Sequence, residues 1–105
     1  MGMLKKHLDD IVKLLPKNGG FTKEERSLKE KEFRKINYLH VQTLRKSLDP
    51  EYQDDEYIKS VLWEYSAQLE MALVNYKHGF YISTMMIASN AAAQVIENGI
   101  PDKRP

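Results

Sequence analysis

Apolar residues recur along this chain at helical spacings of three and four. Leu4, Leu8, Ile11 and Leu15 mark one face of a short helix, widened by Val12 and Leu14 and stopped by Pro16. Pro16-Lys-Asn-Gly-Gly20 reads as a loop, and Thr22-Lys-Glu-Glu25 as a capping box opening a second helix. The first turns of that helix are almost wholly charged, with Glu25–Lys29 and Glu30–Arg34 spaced i,i+4. Further on, Phe33, Ile36, Val41, Leu44 and Leu48 supply an apolar stripe, with Leu39 beside it. The second helix thus begins solvated and ends buried.

Asp49-Pro50 marks the next boundary, with Pro50 suited to a first helical position and Asp49 to its cap. Glu51, Asp54, Asp55 and Glu56 favour the positive end of a helix dipole, so a third helix is expected to start between Pro50 and Asp54. From there Ile58, Leu62, Tyr65, Leu69, Ala72 and Tyr76 keep an unbroken 4-3-4-3-4 rhythm. A second stripe, Trp63, Ala67, Met71, Val74, Tyr81, Met85 and Ala88, runs along another side. No charge falls between Lys77 and Glu97, and a helix apolar on every side must be covered on every side.

Gly79 could close a helix after Lys77-His78, but Phe80-Tyr81-Ile82 resumes the apolar pattern at once. The expectation is therefore one long helix to about Asn98, bent at most near Gly79, and stopped by Asn98-Gly99-Ile100-Pro101. The reading is an all-α antiparallel bundle of three to four helices (about 3–15, 22–48 and 51–98, with a tail over 99–105). It forms a single domain over residues 1–105, the second and third helices pack antiparallel, and the first closes over them.

Composition narrows the classes. Thirty per cent of the residues are charged, yet sixteen basic against fifteen acidic leave a net charge of +1, which points to no polyanionic partner. No cysteine is present, which fits a reducing, cytoplasmic setting. Ser83, Thr84, Ser89, Asn90 and Gln94 argue against a membrane span in the uncharged run. Lys5, Lys6, His7, Asp9 and Asp10 interrupt any apolar leader.

Candidate chemistry is sparse. His7 with Asp9 and Asp10 reads as an exposed polar face rather than a metal site, since further ligands are not identifiable. His40, beside an apolar stripe, reads as a satisfied interior or boundary histidine, and His78 as a helix-end residue. Ser83, Thr84 and Ser89 lack a base at catalytic spacing and suit back-bonding to the preceding turn. The basic cluster containing Lys23, Arg26, Lys29 and Arg34 is interleaved with Glu24, Glu25, Glu30 and Glu32. Trp63, Met71, Val74, Tyr81, Met85 and Met86 form an aromatic and Met-rich set suited to an interface, the competing reading being monomer core.

Tyr76-Lys-His-Gly-Phe80 and Leu48-Asp-Pro-Glu-Tyr52 resemble the layout of small uncharacterised helical proteins of Firmicutes and their phages or mobile elements. Where those families commonly carry a Gly or an acidic residue, this chain has Ser83-Thr84 and Asn90. The resemblance implies a small cytosolic helical protein with no assigned chemistry. Together these readings give a non-enzymatic interaction or regulatory protein, without cofactor or metal, forming a homodimer or meeting a protein partner through its long C-terminal helix. The alternative is a nucleic-acid-binding regulator using Lys23, Arg26, Lys29 and Arg34.

Overall fold

The computed structural model describes residues 2–100. Four helices follow one another: α1 (Met3–Lys13), α2 (Lys23–Lys46), α3 (Glu56–Lys77) and α4 (Tyr81–Glu97), with a short 3-10 turn at Pro50–Tyr52. The expected long third helix is two helices. Gly79 adopts φ +78°, and it ends α3 as the left-handed residue of a Schellman motif. Its amide donates to the Tyr76 carbonyl at 3.0 Å, and the Phe80 amide donates to the Asn75 carbonyl at 2.9 Å. The chain then reverses, and α4 lies back along α3. Gln68 reaches Gln94 at 2.8 Å, and Tyr57 reaches Asn98 at 3.1 Å, as antiparallel neighbours must. The physical reason is coverage. Two apolar halves folded against each other bury faces that one rod would leave wet.

The other boundaries follow local chemistry. Thr22 and Glu25 make the capping box, with the Glu25 amide donating to Thr22 Oγ1 at 3.1 Å and the Thr22 amide to Glu25 Oε1 at 3.0 Å. Asp49 precedes only the 3-10 turn, and α3 starts later than expected, where Asp55 accepts from the Ile58 amide at 3.0 Å. Gln53 fills the gap by donating to the Leu48 carbonyl at 2.7 Å, satisfying an acceptor that the end of α2 leaves open. At the far end Gly99 (φ +88°) closes α4 with a second Schellman motif, and Ile100 folds back into the core beside Val95. The rest of the expected tail, residues 101–105, lies outside the described residues.

Each helix packs on the next, and α4 closes the ring against α1. The bundle holds two apolar clusters. Met3, Leu4, Leu44, Leu48, Leu62 and Val95 are among those filling one end, and Ile11, Leu14, Phe33, Ala72, Leu73, Tyr76 and Ala88 the other. Position along each helix shows what separates them. His7 lies between Leu4 and Ile11, and Asn37 and His40 lie between Phe33 and Leu44. A polar layer therefore crosses the middle of an apolar core.

Candidate functional site

That layer is built by three helices. His7 on α1 is 3% exposed and His40 on α2 is 9% exposed, and their rings stack at 4.0 Å between centroids with 7° between planes. Asn37, one turn before His40, sends Nδ2 to the Leu69 carbonyl of α3 at 3.4 Å. Its Oδ1 sits 2.8 Å from His7 Nε2 and must accept from it, which places the His7 proton on Nε2 and leaves Nδ1 bare. His7 Nδ1 is buried without a partner. His40 Nε2 meets the Tyr65 hydroxyl of α3 at 2.6 Å, with the tyrosine ring edge-on to the imidazole.

Burial governs the charge states. It lowers the His7 pKa, opposed in part by the bond to Asn37 and the charge of Asp10. Burial, and after it the neighbouring His7, bring His40 down to about 3. Both rings are neutral near pH 7. His7 is the residue that sequence reasoning misplaced on a solvated face. The signal was present, because Leu4, His7, Ile11 and Leu14 are spaced 3-4-3. His40 is the interior histidine that its place beside the stripe suggested.

A cleft of about 200 Å³ opens beside the two rings, lined by Met3, Lys6, Asp10, Ile36, Leu39 and Thr43. It is smaller than the roughly 300 Å³ at which ligand pockets usually begin. No group of three or more His, Cys, Asp or Glu side chains converges as metal ligands among the described residues. Elsewhere, buried Tyr76 donates its hydroxyl to the Leu14 carbonyl, and Thr84 back-bonds to the Phe80 carbonyl at 2.8 Å.

The aromatic and Met-rich set divides at the reversal. Trp63 is 73% exposed, and Met71, Val74 and Met86 are also exposed. Tyr81 and Met85 turn inward, packing on the cluster of Ile11, Leu14 and Phe33, and Ala88 lies within it. In place of one continuous stripe, α4 carries an outer row of its own. Ile82 (80% exposed), Met86 (60%) and Ile96 (55%) fall at 4-3-4-3 spacing with exposed Ser89 and Ala93 between them. No charged side chain interrupts this row.

The basic residues of α2 do not segregate. Lys23, Arg26 and Arg34 are exposed and Lys29 half-buried, with Lys29 3.9 Å from Glu32. Arg34 lines a shallow groove against Glu70 of α3 rather than standing in a basic patch. Among the described residues no helix is long and apolar enough to cross a membrane. Compared with protein-family models, with curated proteins and with solved structures, the chain matches none.

Proposed function

We propose that this is a small non-enzymatic interaction protein that self-associates through the outer face of α4 and works as a regulator or adaptor. The observation that carries it is the uncharged row Ile82, Met86, Ser89, Ala93 and Ile96, held in solvent by a helix whose opposite face fills the core. The row is large at both ends and small in the middle, a shape that lets two copies cross closely. Charge selects the orientation. Lys77, at the end of α3, precedes the start of α4 and Glu97 ends it, so an antiparallel pair sets unlike ends together.

The contact is small. Ile82 to Ile96 spans about 21 Å of helix at ~1.5 Å per residue, less than a standard interface needs. Association is therefore weak and depends on concentration. A non-enzymatic reading is supported by the hydrogen bonds that already engage the interior polar groups, His7 with Asn37, His40 with Tyr65 and Tyr76 with the Leu14 carbonyl.

Light-scattering mass measured across a concentration series tests this, alongside Met86→Glu. Wild type should move from monomer to dimer as concentration rises, and Met86→Glu should stay monomeric and folded. A wild-type mass that stays monomeric at millimolar concentration overturns the reading. Nucleic-acid binding by Lys23, Arg26, Lys29 and Arg34 has less support, because acidic residues interleave with them. Binding at low salt that weakens steeply as salt is added would favour it instead.

A further inference from the structure

Three features of the α1–α2 junction belong together. Two buried imidazoles stack face to face at 4.0 Å. Each is held by a neutral partner, His7 by Asn37 and His40 by Tyr65. One nitrogen, His7 Nδ1, is buried with no partner at all. We propose that this pair is an acid-released latch: neutral, it lets α1 lie against α2 and α4, and protonated, it frees α1 while the α3–α4 hairpin stays folded.

The argument rests on where a proton would have to go. On His7 it would enter at Nδ1, creating a charged N–H donor that faces no acceptor and lies against a second imidazole. The groups around the rings offer little compensation. From α1 come Lys6 and Asp10, both lining the cleft, and Asp10 also stands 4.0 Å from Lys13. From α2 the cleft receives only Thr43 besides its apolar residues, and from α3 the pair receives Tyr65. Between Ile82 and Ile96, α4 has no titratable side chain. Among the described residues Asp10 is the carboxylate that acts on His7, and it favours a charged ring less than burial opposes it. The cleft brings water close to the rings without global unfolding.

The segment released is suited to the role. His7 sits midway along a helix of 11 residues, too short to persist in isolation. Its departure uncovers Met3, Leu4 and Ile11 and the groove between α2 and α4 that they fill.

The direction of the pH dependence follows from linkage. Both histidines have a lower pKa when docked than the ordinary value of 6.5, so attachment is full above about pH 6.5 and weakens as pH falls toward the docked values. Each can contribute at most about tenfold per pH unit. Between pH 7 and 5 the release equilibrium should rise by roughly 25-fold from His40, whose docked value lies well below 5, and further with His7, to at most about 600-fold.

Hydrogen exchange on the full chain at pH 7, 6 and 5, corrected for intrinsic rates, tests the latch. The expected result is a loss of protection over Leu4–Lys13 of about 25-fold or more, with Leu69–Tyr76, reached only by global unfolding, falling in parallel but staying more protected than α1 at every pH. A His7→Gln/His40→Gln chain should lose this dependence. Protection of α1 that ignores pH would overturn the proposal, and so would equal protection of α1 and α3 at every pH or an undiminished dependence in the double variant. Should that variant fail to fold, NMR titration of the wild-type imidazoles decides. Protonation of either buried ring with no change in α1 exchange sinks the latch.

Discussion

His7, Asn37, His40 and Tyr65 lie inside the bundle, whereas Ile82, Met86 and Ile96 lie on its surface. One region puts polar groups where hydrocarbon would pack, and the other puts hydrocarbon where water waits. The interior group is tolerated because the amide of Asn37 and the hydroxyl of Tyr65 replace most of the hydrogen bonds that water would supply. The exterior group has no such compensation within the monomer. Substitutions can separate what the two regions contribute.

The largest expected effect comes from turning α4 around in chemical terms. Ala88, 1% exposed, packs with Ile11, Phe33 and Tyr76 on the inner face. Ala88→Glu would bury an unpaired carboxylate in a space fitted to a methyl group and should cost about 4 kcal/mol or more. A chain of this size has roughly 5–15 kcal/mol to lose. Urea unfolding should therefore show a protein at or near collapse, and a loss under 1 kcal/mol would mean that the inner face is not inner.

The polar layer should respond less. Tyr65→Phe keeps the aromatic ring and removes only the hydroxyl that meets His40 at 2.6 Å. Leaving that buried nitrogen without its bond should cost about 1–3 kcal/mol near pH 7. A neutral result would show that water from the neighbouring cleft replaces the phenol. Smaller again is Gly79→Ala. A methyl group there meets nothing within 4 Å, so the cost is purely that of φ +78° for a residue with a side chain, about 1–2 kcal/mol. Thermal melting should drop by a few degrees with the α3–α4 hairpin intact.

Gly79 also shows how far the sequence could be read. The capping box at Thr22, the stop at Asn98-Gly99 and the rhythm from Ile58 to Tyr76 were legible because each is a local pattern with a local cause. The reversal was not, because its second half has no side-chain signature. Phe80 occupies the N-cap of α4 without a side-chain hydrogen bond, and apolar residues resume on both sides of it. What settles it is tertiary, the mutual coverage of two apolar helices. The misreading carried over to the site. A stripe traced through Gly79 joins Trp63 and Met71, which face solvent, to Tyr81, Met85 and Ala88, which face the core. His7 was lost for the opposite reason. Its charged neighbours Lys5, Lys6, Asp9 and Asp10 masked a position that the helical period places inward.

The smallest effect on stability is the most informative about the outer face. Ile82 is 80% exposed, so replacing it removes almost no burial from the monomer. It also stands in the first turn of α4, which contains no acidic residue and has no side-chain cap. A carboxylate there would interact favourably with the helix dipole by about 0.3–1 kcal/mol, and Glu has a slightly better helical propensity than Ile. Ile82→Glu should therefore leave the monomer as stable as wild type or more stable by up to about 1 kcal/mol, measured by urea unfolding at low protein concentration. At high concentration the same change should abolish the mass increase expected of wild type. That pair of results would show that Ile82, the most exposed of the row's large apolar residues, serves a contact outside the monomer. If Ile82→Glu instead destabilises the dilute monomer as Ala88→Glu does, the two faces of α4 are not distinct, and the row is part of the fold.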